Sequence, residues 1–218
     1  MRILNLYAGI GGNRTLWGDE HQITSVEFNE SIANIYSQRF PNDTLIIGDA
    51  LDYLLNNYLE YDFIWCSPPC PTHSLARHWE PKFLDMSLWQ IIQFLSKYLP
   101  EDKYYCVENV VPYYEPFIMP SHSFDRHTFW TNFNISSIDF NHTSSPLPNL
   151  QNKTVFDWYQ FLGFSLAELD SKGVSKIKVL RNCVHPISGK LILNQITNPS
   201  PTIFTYLGVQ SSNAGHLI

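Results

Sequence analysis

The chain is poor in several things around which a protein can be built. Of its 218 residues only four are cysteine (Cys66, Cys70, Cys106 and Cys183), and none forms a Cys-x-x-Cys pair. That leaves no zinc-ligand pattern, so no metal is expected, and without a secretory segment no disulfides are expected either. Free cysteines of this kind are most often small buried apolar groups. No run of about 18 apolar residues occurs, which excludes a membrane-spanning helix of ordinary length. The opening Met1-Arg2-Ile3-Leu4-Asn5-Leu6-Tyr7 lacks the apolar stretch and cleavage site of a signal peptide, so a cytoplasmic location is expected. Basic residues are scarce as well: 14 Lys and Arg against 20 Asp and Glu give a net charge of -6. That argues against a protein that coats nucleic acid, because phosphate contact needs a basic face. It leaves room for a local patch. Lys172, Lys176, Lys178, Arg181 and Lys190 cluster late in the chain, and a solvated helix face explains them equally well. Internal repeats and low-complexity tracts are absent, which excludes solenoids and disordered arrays.

What is present is a chain with 44% hydrophobic residues, long enough for one α/β domain and too short for two full ones. Apolar runs at Ile3–Tyr7, Ile23–Phe28, Leu45–Ile47, Tyr61–Cys66 and Tyr104–Val107 read as strands, with Phe129–Ile138 as a later one. Helical patterns lie between them at Ser31–Phe40, which stops at Pro41, and at Ser87–Leu99, which stops at Pro100. Further helical segments are expected near Phe156–Phe161 and Pro186–Leu193, separated from the first half by an Asn-, Ser- and Pro-rich loop at Asn141–Lys153. Strands alternating with helices predict a mostly parallel sheet covered on both faces, with ligands at the carboxyl ends of its strands.

Glycine is also scarce, yet three of the ten glycines crowd into Tyr7-Ala8-Gly9-Ile10-Gly11-Gly12, just after the first strand. Glycines let the backbone turn sharply and approach a ligand closely. Alone, the pattern is as readily a plain strand-to-helix turn. The second strand ends in Glu27, where an acid can bind ribose hydroxyls, and the third is followed by Gly48-Asp49-Ala50. Together these suggest a nucleoside cofactor; separately, Glu27 reads as a surface acid and Asp49 as the N-cap of a helix from Ala50. After the fourth strand comes Ser67-Pro68-Pro69-Cys70-Pro71-Thr72-His73-Ser74, in which prolines stiffen the approach to a thiol. A thiolate is the natural nucleophile for an electron-poor ring carbon, since it attacks readily and leaves again. Just after the fifth strand, Glu108-Asn109-Val110 places a carboxyl among apolar neighbours, where it can act as a proton donor or serve as a cap.

These segments, in this order, resemble the DNA cytosine-5 methyltransferases. Leu6 to Gly12 is similar to the family's Phe-x-Gly-x-Gly-Gly, Pro69-Cys70 through Ser74 to Pro-Cys-x-x-x-Ser, Glu108-Asn109-Val110 to Glu-Asn-Val, and Arg181-Asn182-Cys183-Val184 to the late Gly-Asn-Ser-Val. The resemblance implies a Rossmann-like S-adenosylmethionine-dependent methyltransferase fold of class α/β with a minimal target-recognition region. The expected layout is a single domain over residues 1–218, with a catalytic core at about 1–140 and 179–218 and a reduced insert at about 141–178. It implies transfer of a methyl group to C5 of a cytosine flipped out of double-stranded DNA, with Cys70 attacking C6 and Glu108 acting at N3. By the same matching, Tyr7, Gly9, Ile10, Gly11, Glu27, Phe28, Asp49, Ala50, Pro69, Asn182 and Val184 line the cofactor site, and Phe28 stacks on adenine. Ser74, Arg77, Asn109 and Thr128 fall at substrate-binding positions. A small restriction-modification, viral or mobile-element enzyme in a bacterial or phage-infected cell fits these features.

The pattern departs from the family in four places, one of them the late Arg-x-x-Arg-Glu motif, which is not recognisable. The family's Gln-x-Arg-x-Arg appears as Phe124-Asp125-Arg126-His127-Thr128, so Arg126 fills one arginine position, counted with the catalytic set, and Thr128 stands at the other. Only about 50 residues separate Trp130 from Arg181, too few for the usual recognition module, which needs several side chains on a rigid element. Short or relaxed sequence specificity, or reliance on a partner or a dimer, is the expected consequence. The segment Thr72–Asp85, with His73, Arg77, His78, Trp79 and Lys82, is a candidate to close over the flipped base. Arg181 replaces the glycine of the late motif, which raises a carboxylated relative of S-adenosylmethionine, or a DNA phosphate, as its partner. An RNA cytosine methyltransferase and a non-catalytic nucleic-acid binder are the alternatives.

Overall fold

A computed structural model describes residues 1–74, 83–124, 126–135, 154–164 and 174–197. Its strands are β1 (Arg2–Leu6), β2 (Gln22–Glu27), β3 (Thr44–Ile47), β4 (Phe63–Cys66), β5 (Tyr104–Val110), β6 (His122–Phe124) and β7 (His127–Thr131). They form one sheet in the order β3-β2-β1-β4-β5-β7-β6. The pairs among β1 to β5 are parallel, whereas β7 runs antiparallel to β5 and to β6.

The period-two alternation of the strands sorts the core into two layers. Leu4, Leu6, Ile64, Cys66, Tyr105 and Val107 face one side, against α2 (Ala50–Asn57) and α3 (Ser87–Tyr98). Ile3, Phe63, Trp65, Cys106 and Phe129 face the other, against Trp17 and the helix α6 (Pro186–Thr197). β4 is buried on both faces, as a central parallel strand must be. α3 buries Leu88, Ile91, Ile92 and Leu95, a stripe at helical spacing, each worth about 1.5–3 kcal/mol of apolar burial. A third cluster joins Ile10 to α1 (Glu30–Arg39), α4 (Val155–Leu162) and α5 (Lys176–Arg181).

Local chemistry sets the helix ends. Asn29 caps α1 by accepting from the Ile32 amide, and Asp49 caps α2 by accepting from the Asp52 amide. Thr154 and Asp157 form a capping box on α4, and Gly163 ends it in the left-handed conformation at φ 69°.

The fold is the expected Rossmann-like arrangement, with local differences. β5 runs to Val110, so Glu108 and Asn109 lie inside the strand rather than after it, because antiparallel β7 pairs with β5 beyond the end of β4. β7 begins at His127 and ends at Thr131, earlier than expected, and residues 136–138 lie outside the described part. It stops because the Asn132 side chain takes over the pairing: its Oδ1 accepts from the Tyr105 amide at 2.9 Å and its Nδ2 donates to the Lys103 carbonyl at 2.7 Å. β6 was not foreseen from its sequence. The loop expected at Asn141–Lys153 lies outside the described residues, as does Lys172. No helix among the described residues is long and apolar enough to cross a membrane.

Candidate active site

The carboxyl ends of β1, β2 and β3 carry the glycine turn, Glu27-Phe28 and Asp49 side by side. Tyr7 and Gly9 take positive φ, 55° and 57°, and fold the chain back after β1. Glu27 fixes the turn: one carboxylate oxygen accepts from the Gly9 amide and the other from the Asn29 amide, both at 2.9 Å. Phe28 is 77% exposed beside it, a flat apolar face with no protein cover. Among the described residues nothing lies within 4 Å of a Cβ built on Gly9, which leaves open space over the turn. An open turn, an exposed aromatic ring and two acids at adjacent strand ends fit a nucleoside cofactor. Asp49 is exposed, and it caps α2.

Ile10 and Gly11 are packed against the protein. The Ile10 side chain is buried in the third cluster and its carbonyl accepts from Arg39. A Cβ on Gly11 would strike the rings of Phe40 and Tyr36, at 2.3 and 2.8 Å. These positions let the turn sit on α1; any cofactor contact from them is through the main chain. Ala50 is likewise buried, in the core layer beneath α2.

The late motif does meet this turn. A Cβ on Gly12 would lie 2.4 Å from the Val184 carbonyl oxygen and 3.1 Å from Cys183 Cβ. Asn182 is exposed and Val184 buried next to it. Beneath them runs a buried polar chain that the sequence did not reveal. Asn13 donates to Asn5 at 2.8 Å, Asn5 to Ser25 at 3.4 Å, Ser25 to Tyr36 at 2.6 Å, and Tyr36 to Asp43 at 2.6 Å. Asp43 ends the chain in an ion pair with Arg14 at 2.9 Å, their side chains 3% and 4% exposed.

Cys70 sits at the end of β4 in a tight turn, its carbonyl accepting from the amides of His73 and Ser74 at 2.9 and 3.1 Å. Asn109 holds the turn from β5, donating to the Pro68 carbonyl at 3.0 Å. Ser74 pairs with Pro112 in an antiparallel bridge, and the Tyr113 amide donates to the His73 carbonyl at 3.2 Å. Pro69 is exposed and Cys70 half-buried. Burial pushes the Cys70 thiol up, the negative charge of Glu108 adds to this, and its own amide and the nearby Arg126 charge pull it down.

Glu108 is 5% exposed, and its Oε1 lies 2.5 Å from Nδ1 of His127 on β7. Arg126 donates through Nη2 to the Arg181 carbonyl at 2.9 Å and lies over the Trp158 ring at 5.3 Å. It therefore fastens the late motif to the start of β7. Thr128 is buried opposite Asn109, its hydroxyl 3.5 Å from that of Ser123. Arg77 lies outside the described residues, as do His78, Trp79 and Lys82.

His73 departs from the expected role in a closing loop. It is 1% exposed, with Nδ1 2.5 Å from the Tyr114 hydroxyl and its ring edge-on to Trp89, and burial lowers its pKa. An imidazole enclosed by aromatic rings anchors the loop's first end instead of reaching outward. The ends are also tied together, the Asp85 amide donating to the Thr72 hydroxyl at 2.9 Å. Lys176, Lys178, Arg181 and Lys190 are exposed, and the Arg181 main-chain carbonyl is the acceptor for Arg126. Among the described residues no group of His, Cys, Asp and Glu could hold a metal ion.

The C-5 cytosine-specific DNA methylase family matches residues 1–113, which hold the glycine turn, Cys70, Glu108 and Asn109. The chain belongs to that family. Comparison with curated protein sequences finds no match. Among solved structures the methylase is similar to the Entamoeba histolytica methyltransferase EhMeth, at 13% identity and TM-score 0.55, over 91% of this chain and 98% of that one. It is also similar to the S. pombe Dnmt2 methyltransferase, at 13% identity and TM-score 0.58, over 91% and 99%. A Spodoptera frugiperda DNMT2 variant matches at 26% identity and TM-score 0.38, over 50% of this chain and 35% of that one. The likenesses to EhMeth and to the S. pombe enzyme, at 13% identity, establish the fold alone.

Proposed function

We propose that this methylase transfers a methyl group from S-adenosylmethionine to C5 of a cytosine flipped out of DNA. The observation that carries this reading is the seating of Cys70: Asn109 on β5 clamps the Pro68 carbonyl, two residues before the thiol, while the adjacent Glu108 carboxyl is buried within electrostatic reach of it. A nucleophile and an acid are thus fixed relative to one another by neighbouring strands.

Glu27, Phe28 and Asp49 would hold the nucleoside end of the cofactor, with Asn182 and Val184 at the other wall and Pro69 next to the thiol. When bound, the cofactor supplies an electrophilic methyl group. Cys70 attacks C6 as the thiolate, which Arg126 favours and Glu108 as an anion opposes. Glu108 gives its proton to N3 as charge develops on the ring. That makes C5 nucleophilic. Once C5 carries the methyl group, a solvent water takes the C5 proton, the C–H electron pair re-forms the C5–C6 double bond, and the S–C6 pair leaves on Cys70. Ser74 and Asn109 shape the pocket for the base through the backbone they hold.

The test is trapping. The full chain is incubated with radiolabelled S-adenosylmethionine and DNA or RNA containing 5-fluorocytosine, which cannot lose a proton from C5. A labelled covalent adduct with DNA that disappears in Cys70→Ala is the expected result. An adduct with RNA alone would reassign the polymer, and no adduct with either would overturn the reading. Mass spectrometry of treated DNA checks the donor: a gain of one methyl group per site is expected, and a carboxylated group would point to an altered donor at Arg181.

A further inference from the structure

The family pattern expects an arginine where this chain has Thr128, and the sheet register shows that the residue before it, His127, is the one that faces the acid. Glu108 pairs with Phe129 and Val110 with His127 across the antiparallel β5–β7 pair. Glu108 and His127 are therefore diagonal neighbours on one face, close enough for long side chains to meet. Thr128 pairs with Asn109 and belongs to the opposite face by the alternation of the strand. The contact made is buried: His127 Nδ1 to Glu108 Oε1 is 2.5 Å, with side chains 8% and 7% exposed. Two groups of that kind are not buried together without sharing a proton, since either one unpaired would be costly.

We propose, resting on the methyltransferase reading, that His127 is the positioning residue of Glu108. Its Nδ1–H donates to Oε1, which fixes the carboxyl and leaves Oε2 as the oxygen that carries a proton to the base. As the Cys70 sulfur bonds to C6, the ring's electron pair shifts toward C5. The N3–H bond forms while the Oε2–H bond of Glu108 breaks. The negative charge that began on sulfur ends on the carboxylate, where the His127 N–H is already in place to stabilise it. When Cys70 departs with the electron pair of the S–C6 bond, N3 returns its proton to Oε2. His127 gains and loses no proton. What it supplies is a donor aimed from a rigid strand.

Two measurements on the full chain test this. In the wild-type protein, 15N NMR of the histidine side chains, with His127 assigned by its loss in H127N, should show Nδ1 protonated and its resonance displaced in E108Q. A bare Nδ1, with the proton on Nε2, overturns the proposal. In the kinetic arm, H127L should lower kcat by roughly tenfold or more with KM within about twofold, the mark of an interaction made in the transition state. H127N, which keeps an N–H donor near the Nδ1 position, should restore kcat to within roughly threefold of wild type. H127L that transfers as fast as wild type, or H127N as slow as H127L, overturns the role of His127 while leaving the enzyme reading intact. Absence of any transfer by the wild-type chain overturns the enzyme reading and the catalytic use of the pair with it.

Discussion

Gly12 offers a clean test of how the late motif is held against the glycine turn. Its backbone lies at φ -57°, ψ -51°, an ordinary right-handed conformation, so Gly12→Ala introduces no torsional strain. The only cost is the methyl group itself, which would sit 2.4 Å from the Val184 carbonyl oxygen. Ordinary contact requires the carbonyl to retreat by about 1 Å, and a main-chain atom retreats only by moving residues 182–184 with it. Overpacking of this kind costs about 1–3 kcal/mol, which for a chain of this size lowers Tm by about 2–12 °C. The same shift moves Asn182 away from the cofactor space, and a misplacement near 1 Å is enough to weaken a positioned contact by roughly tenfold or more. Differential scanning calorimetry measures the first effect and isothermal titration with S-adenosylmethionine the second. Gly9→Ala is the contrast: its Cβ meets no protein atom within 4 Å, but φ is 57°, so it carries the left-handed penalty of about 1–2 kcal/mol without collision. Trimming Cys183 to Ala in the Gly12→Ala background should rescue little, because the closest atom is the main-chain oxygen. A Gly12→Ala protein with wild-type Tm and wild-type cofactor affinity would refute the claim that residues 182–184 seat directly on the turn.

Three further outcomes are expected. Asn109→Ala removes the clamp on the Pro68 carbonyl, and should cost about 1–3 kcal/mol of stability by urea titration and lower kcat at least roughly tenfold; unchanged single-turnover rates would show that the Cys70 turn holds its shape alone. Because burial and the Glu108 charge both disfavour the thiolate, iodoacetamide should modify Cys70 slowly at pH 7 and faster as pH rises past the ordinary thiol value of about 8.5. Asp43→Ala leaves Arg14 as a buried cation without its main partner and should cost about 3–5 kcal/mol by urea midpoint, part of which returns in Arg14→Met with Asp43→Ala.

Much of the sheet could be read from the chain because its strands are short, apolar and bounded by strong punctuation. Ile3 to Leu6 ends at a positive-φ tyrosine and glycine, and Cys66 is followed by Ser67-Pro68-Pro69, so both strand ends are chemical events. Pro41 and Pro100 stop two helices for the same reason. β6 was not legible, since His122-Ser123-Phe124 has three residues and no apolar alternation; it exists because β7 offers it a free edge. The end of β7 was placed too late because an asparagine in an apolar stretch looks tolerable, while in the fold Asn132 supplies the bonds that close the sheet edge.

The site divides in the same way, between what spacing encodes and what register encodes. Cys70 between prolines and Glu108 before Asn109 are contiguous words, and they carry their chemistry in the linear order. Glu27 follows from a strand end alone, while Phe28 enters only through the family resemblance. His127 is different: its neighbours Arg126 and Thr128 drew the comparison, because the family pattern is written in arginines, and the residue between them held no place in it. Only the pairing of β5 with β7 brings residue 127 onto the face of residue 108. Once β5 is seen to continue through Val110 the assignment is forced, since an antiparallel partner with Phe129 opposite Glu108 must put His127 beside it and Thr128 behind. A loss of arginine at 128 thus reads, on the sequence, as a weakened catalytic motif. On the sheet it is compatible with an intact one, because the acid already has a donor from the adjacent position on the same strand.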